Sequence, residues 1–224
     1  MQYQALVLLS GGLDSVYNLY AAHNKWPGQV QALHFNYGQR AAEQERLAAQ
    51  YFADQLKIPM DVLDLSPIFK SAQNALTQKS LALPTTEVDI ESLEASHKSA
   101  AHVWVANRNG VLLNIAACRA ESGQIPFVVP GFNKEEAQTF PDNSVEYIAR
   151  LNSCFELSTG NRVQVMCFSQ EMYKNEIIKA CQDLNVNLDQ IWSCYGEGQT
   201  PCGVCESCQR FSRAKKSLGL KKGE

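Results

Sequence analysis

The chain has no apolar run near the roughly 18–20 residues that a membrane-spanning helix needs, and Met1-Gln2-Tyr3-Gln4 lacks the basic start of a secretory signal. A cytoplasmic protein without a membrane partner is expected. Charge of one sign is also scarce, because 20 Lys and Arg against 23 Asp and Glu leave a formal net charge of −3. That balance gives no global electrostatic reason to bind nucleic acid. The local exception is residues 209–224, where Arg210, Arg213, Lys215, Lys216, Lys221 and Lys222 face one acid, Glu224. Such a tail reads either as a solvated helix end or as a phosphate-touching stretch. Histidine is sparse too: His23, His34, His97 and His102 form no metal-ligand spacing, so none is assigned a catalytic role. No internal repeat or low-complexity block is present.

Cysteine is the exception to this scarcity. With no export signal, the eight cysteines are expected to stay reduced rather than pair as disulfides. Four of them form Cys194-x7-Cys202-x2-Cys205-x2-Cys208, a spacing whose thiolates can close tetrahedrally around one Zn²⁺. Gly203 eases the turn, and with every position filled by sulfur the metal would be structural. A redox pair, an iron–sulfur cluster and sulfur-transfer chemistry are the competing uses of these thiols. Cys118, Cys154, Cys167 and Cys181 lie in apolar or helical contexts and read as small buried hydrophobes.

The 224 residues, 45% of them hydrophobic, suffice for one main domain over 1–185 and a small metal-binding segment over 186–224. Short apolar runs at 5–9, 30–35, 60–65, 127–130 and 163–168 read as strands. Helix-favouring stretches lie between them at 39–56, 103–121, 142–151 and 170–184, the third entered through Pro141, Asp142 and Ser144. Alternating strand and helix predicts an α/β fold with a parallel sheet covered on both faces. The polar, aperiodic stretch 71–98 reads either as an excursion folding over a site or as a surface insertion.

Ser10-Gly11-Gly12-Leu13-Asp14-Ser15 follows the first strand and opens a helix, which presents free backbone N–H groups to an anion. Two glycines permit close approach, Ser10 and Ser15 can donate hydroxyl hydrogen bonds, and Asp14 can orient the loop or bind Mg²⁺. No lysine follows as a Walker motif requires, and the third glycine of a dinucleotide fingerprint is missing. A tight strand-to-helix turn is the plain alternative.

In this order and position the six residues resemble the PP-loop of N-type ATP pyrophosphatases. Together with Ser193-Cys194-Tyr195 and Pro201-Cys202-Gly203-Val204-Cys205-Glu206-Ser207-Cys208, they resemble the 7-cyano-7-deazaguanine synthases of queuosine and archaeosine biosynthesis. Supporting pieces run in order along nearly the whole chain: Asn36-Tyr37-Gly38-Gln39-Arg40, Ala75-Leu76-Thr77, Arg108-Asn109, Gly131-Phe132-Asn133 and Phe140-Pro141-Asp142. The resemblance implies a Rossmann-like PP-loop domain, cytoplasmic and homodimeric, using ATP, Mg²⁺ and a structural Zn²⁺. It implies that the carboxylate of 7-carboxy-7-deazaguanine is adenylated, that ammonia displaces AMP to give an amide, and that a second ATP drives dehydration to the nitrile. ATP would be held by Leu8, Leu9, Ser10, Gly11, Gly12, Leu13, Asp14, Ser15 and Val16, with Asp14 and Ser15 catalytic. Tyr37, Gln39, Arg40, Arg108, Asn109, Gly131, Asn133 and Asp142 would bind the deazaguanine acid, and Cys194, Cys202, Cys205 and Cys208 the zinc.

The chain departs from the family's pattern at three places. Proline is usual where Ala106 or Asn107 stands, a histidine where Ala41 stands, and a Cys-Arg pair where Asn143-Ser144 stands. A tRNA-thiolating PP-loop enzyme is the nearest rival, but it predicts a large basic face. A zinc-stabilised nucleic-acid-binding module leaves Ser10–Ser15 without a use.

Overall fold

In the computed structural model, residues 2–72, 74–83 and 101–220 are described. The strands are β1 (Ala5–Leu8), β2 (Val30–Asn36), β3 (Met60–Asp64), β4 (Phe127–Val129) and β5 (Gln164–Val165). The helices are α1 (Leu13–Lys25), α2 (Ala42–Gln55), α3 (Ser66–Phe69), α4 (Arg108–Ser122), α5 (Lys134–Ala137), α6 (Val145–Ser158), α7 (Lys174–Asp183) and α8 (Glu206–Ser217). All strand pairs are parallel, in the order β3-β2-β1-β4-β5, as the alternating pattern predicts. β1 is central because both faces of its run are apolar. Ala5, Val7 and Leu9 join one core with Val16, Leu19, Phe52 and Ile177, while Leu6 joins the other with Leu113, Phe132 and Phe155. From β1 the chain winds to β2 and β3 on one side, then returns to β4 and β5 on the other. The carboxyl ends of β1 and β4 therefore bound the switch-point crevice where α/β sheets place ligands.

Several boundaries shift for local reasons. The helix expected at 103–121 starts only at Arg108, because Asn107 stands before it in the left-handed region at φ 51°. The helix expected at 142–151 splits into a 3₁₀ turn at Pro141–Asn143 and α6, whose first turn Ser144 caps by accepting from Tyr147 N at 3.1 Å. It then runs on to Ser158. The strand expected at 163–168 shortens to Gln164–Val165 at the sheet edge. There the Asn152 amide covers the open side, accepting from Val165 N at 2.7 Å and donating to its carbonyl at 3.0 Å. Of the expected excursion, residues 84–98 lie outside those described.

The C-terminal helix α8 packs on α7, and Ala214 is buried in the same core as β1. Among the described residues no helix is long and apolar enough to cross a membrane.

Candidate active site

The turn from β1 into α1 is held by its own serines. Ser15 Oγ donates to Gly12 O at 3.0 Å and accepts from Ser10 N at 3.2 Å, while Ser10 Oγ, 3.0 Å from Ser15 Oγ, accepts from Gly12 N at 3.3 Å. Gly11 adopts φ +82°, and a Cβ there would stand 2.6 Å from Ala48 Cβ, so the loop presses on α2 as no other residue type allows. The end of β4 presses equally closely from the other side. A Cβ on Gly131 would lie 2.6 Å from Ser15 N and 2.7 Å from Ser15 Cα.

Asp14, in the first turn of α1, meets two residues that the sequence did not single out. Lys174 Nζ lies 3.1 Å from Asp14 Oδ2 and 2.8 Å from Glu136 Oε1, with the lysine side chain 7% exposed. Burial alone would lower the Lys174 pKa, but the two carboxylates raise it above the ordinary lysine value, so the ammonium stays charged. Burial pushes the Asp14 carboxyl up despite Lys174. Burial acts the same way on Glu136, but there Lys174, Asn133 and Arg210 prevail and hold it below the usual carboxylate range. Asp14 Oδ1 is buried with no hydrogen-bond partner among the described residues, an acceptor atom suited to a hard cation. Asn133 shapes this corner by capping α5, accepting from Glu136 N at 2.8 Å.

The cleft, of about 270 Å³, extends from the loop to a second polar group. Arg108 Nη1 donates to Tyr37 Oη at 3.3 Å, Arg108 Nε donates to Asn109 Oδ1 at 3.2 Å, and the guanidinium carbon lies 5.5 Å from the Tyr37 ring centre. Gln39 joins this group to α2, accepting from Tyr37 N at 2.8 Å and donating to Glu45 Oε2 at 2.9 Å. Burial pushes the Glu45 carboxyl up to about 6, against hydrogen bonding by Gln39 and the charge of Arg108.

Of the residues expected to bind ATP or substrate, all line the cleft except Gly11, Val16, Arg40, Asn133 and Asp142. Arg40 is engaged elsewhere, donating to Gln78 O at 2.7 Å and to Leu81 O, and so ties down the start of the 71–98 stretch. Glu45, Glu136 and Lys174 line the cleft without having been anticipated. Each is an ordinary charged residue near the start of a helix, with no local motif to mark it.

The cysteine-bearing C-terminal segment forms another wall of this cleft through Trp192, Ser193, Tyr195 and Arg210. The four Sγ atoms of Cys194, Cys202, Cys205 and Cys208 lie within 4.8 Å of one another. Tetrahedral zinc with Zn–S near 2.3 Å wants sulfurs about 3.8 Å apart, so the four thiols can hold a metal with a small contraction. Backbone N–H groups already serve the sulfurs: Gly196 N and Cys202 N donate to Cys194 Sγ at 3.2 and 3.3 Å, and Cys205 N donates to Cys202 Sγ at 3.3 Å. Trp192 pins the approach, its N accepted by Gly11 O at 2.9 Å and its Nε1 by Cys194 O at 3.0 Å. Of the scattered cysteines, Cys181 is buried as expected and Cys167 partly so. Cys118 and Cys154 are exposed instead, because they fall on the outer faces of α4 and α6.

Comparison with known proteins agrees over this whole frame. Residues 4–219 match the family model described as queuosine biosynthesis protein QueC. A 7-cyano-7-deazaguanine synthase of Pelotomaculum thermopropionicum is 45% identical over 97% of this chain and 98% of its own length. One of Desulforamulus reducens is 44% identical over 96% and 95%. The solved structure of U34-tRNA thiolase NcsA from Methanococcus maripaludis with its 4Fe-4S cluster aligns at TM-score 0.49 and 16% identity, over 96% of this chain and 65% of that one. The chain therefore belongs to the queuosine biosynthesis protein QueC family, and with it to the ATP-dependent enzymes that form C–N bonds.

Proposed function

We propose that this enzyme converts 7-carboxy-7-deazaguanine, ammonia and two ATP into 7-cyano-7-deazaguanine. The supporting observation is one cleft with a phosphate loop and the Asp14–Lys174–Glu136 group at one end and Arg108 with Tyr37 at the other. A carboxylate oxygen leaves poorly from carbon in water, whereas AMP leaves well, so each activation transfers AMP to an oxygen and releases pyrophosphate. Ammonia then displaces the first AMP, giving the amide and a proton. Adenylation of the amide oxygen, loss of the second AMP and loss of the remaining N–H protons give the nitrile.

The loop N–H groups of Gly12 to Ser15 bind the phosphates, and the Ser15 hydroxyl holds the turn in shape. Lys174, kept charged by two carboxylates, offsets the negative charge that grows on departing pyrophosphate. Arg108, a planar fork at the far end, pairs with the substrate carboxylate and orients it toward the loop. Asn109 reads a polar edge of the base, Gln39 holds Tyr37 in place, and Gly131 keeps the floor low enough for both reactants. Asp14 Oδ1 is the atom that would hold Mg²⁺, which when bound would supply positive charge to the phosphates. Zn²⁺ on the four cysteines is structural, and the working form is a homodimer that needs no nucleic acid. Residues 1–185 carry the chemistry, and residues 186–224 close the cleft.

The test is pyrophosphate release by the purified metal-replete protein. Release that requires both the deazaguanine acid and ammonium supports this reading. Release only with tRNA and a sulfur source assigns the chain to thiolation instead, and no release under any of these conditions removes ATP cleavage altogether.

A further inference from the structure

Helix α5 is only one turn long, yet its two adjacent glutamates serve different neighbours. Glu136 points to Lys174 at the start of α7, at 2.8 Å. Glu135, with its side chain 10% exposed, accepts from Arg210 Nη1 of α8 at 2.6 Å, and from Arg213 as well. The opposite edge of the same guanidinium donates twice to Glu206 Oε1, from Nε at 3.0 Å and Nη2 at 2.8 Å. Arg210 is itself 9% exposed in its side chain and Glu206 4%. Helix α8 begins at the metal-binding cysteines, since Cys205 is its cap and Cys208 lies in its first turn. A continuous path therefore runs from the metal cluster through Arg210 and Glu135 to Glu136, Lys174 and Asp14.

We propose that Arg210 is a positioning residue for pyrophosphate departure, joining the metal-held helix α8 to α5 and so fixing Glu136 against Lys174. The proposal rests on the ATP-cleaving reading given above. Helix anchorage alone does not need such a group, because well-packed apolar side chains hold buried helices as firmly as buried ion networks do. What the planar fork adds is a directional tie, bonded to Glu135 on one edge and Glu206 on the other, that fixes the rotation of α5 relative to α8. Rotation of this single turn moves Glu135 and Glu136 together, because they are adjacent residues of the four-residue turn that Asn133 caps. Among the described residues Lys174 is held by two carboxylates, so a displaced Glu136 leaves it drawn toward Asp14 and off the phosphate path.

Arg210→Lys tests this, because an ammonium can satisfy one carboxylate but cannot span both. The expected result is one metal per chain as in the wild type, with kcat for pyrophosphate release lower by about tenfold or more, as a misplacement near 1 Å produces. KM for the deazaguanine acid should stay put. Calorimetric affinity for Mg-ATP should fall alongside kcat. A second variant, Arg210→Met with Glu135→Gln and Glu206→Gln, removes the three most buried charges of the network, leaving the partly exposed Arg213, and is expected to regain thermal stability without regaining kcat. Arg150→Lys, altering an exposed pair with Glu146 on α6, serves as the control and should behave as wild type. Wild-type kcat and ATP affinity in Arg210→Lys, or recovery of kcat together with stability in the triple variant, overturns the proposal alone. A wild-type enzyme that releases no pyrophosphate with acid and ammonium overturns the underlying reading, and the proposal with it.

Discussion

Replacing Lys174 by Met tests what the buried ammonium does, because Met keeps an unbranched side chain, one atom shorter, and removes the charge with its hydrogen bonds to Asp14 and Glu136. Breaking one partner out of a buried ion group costs about 3–5 kcal/mol, since the remaining charges lose their compensation. Lys174 and Asp14 are 7% and 13% exposed in their side chains, but Glu136 is 33% exposed and water screens part of its loss. The lower end, about 3 kcal/mol at pH 8, is therefore expected. With a urea slope of about 2 kcal/mol/M, the midpoint falls by roughly 1.5 M. The pH dependence follows from the carboxylates. In the wild type the depressed Glu136 contributes stability that is present above its unfolded pKa and lost as pH falls. In the variant both acids are raised, so the folded state binds more protons and loses stability as pH rises. The wild-type advantage must then grow from pH 5 to pH 8, and pyrophosphate release must fall by about 10²–10³-fold, as for removal of other charge-stabilising donors. Urea titrations at the two pH values decide the matter. Equal midpoints at pH 8, or a deficit that does not change with pH, refute the assigned role of the ammonium.

Gly131→Ala drives a Cβ against the backbone of Ser15, which cannot swing aside, so a loss of about 1–3 kcal/mol and weaker calorimetric ATP binding are expected. Gly28→Ala, at φ +72° with open space around it, should cost about 1–2 kcal/mol of stability and leave ATP affinity unchanged. Cys205→Ser should reduce bound metal below one ion per chain by elemental analysis and lower the thermal midpoint, as chelation should. Glu45→Gln should stabilise the protein at pH 8 and not near pH 4.5. The raised value of about 6 against 4.5 corresponds to about 2 kcal/mol, roughly halved because Glu45 is partly exposed. Thermal melts at the two pH values check it, and no gain at pH 8 argues against a strained carboxylate there.

The Ser10–Ser15 strand-to-helix turn and the clustering of the four cysteines were legible because each is complete within a short stretch of chain, where spacing alone carries the geometry. Lys174 was not, because 160 residues separate it from Asp14 and only the return of the chain through β4 and β5 brings them together. Glu45 and Glu136 escaped for the same reason: an acid in the first turn of a helix reads as a favourable partner for the helix dipole and nothing more. The fold was legible from alternating apolar runs, since a strand buried on both faces is apolar throughout. Its boundaries were set by single side chains. Asn107 sits at φ 51°, which proline cannot adopt, so this chain could not take a proline at 107 without changing the entry into α4.

The departure at Asn143-Ser144 also acquires a physical reading. Ser144 is committed to capping α6, and the carbonyl of Asn143 accepts from Gln170 Nε2 at 2.6 Å. The pair therefore fastens the 3₁₀ turn that carries Asn143 into the cleft wall, and neither residue supplies the cation that an arginine would. Arg108 is within Coulombic range of Asp142 in this same turn, and burial raises the Asp142 carboxyl while Arg108 lowers it. Positive charge at this end of the cleft thus comes from α4, and its counter-charge comes from the turn. If a second cation were required beside the substrate carboxylate, an Asn143→Arg change would raise affinity for the acid. With Arg108 already set between Tyr37 and Asp142, the added arginine should instead compete for Asp142 and weaken that affinity.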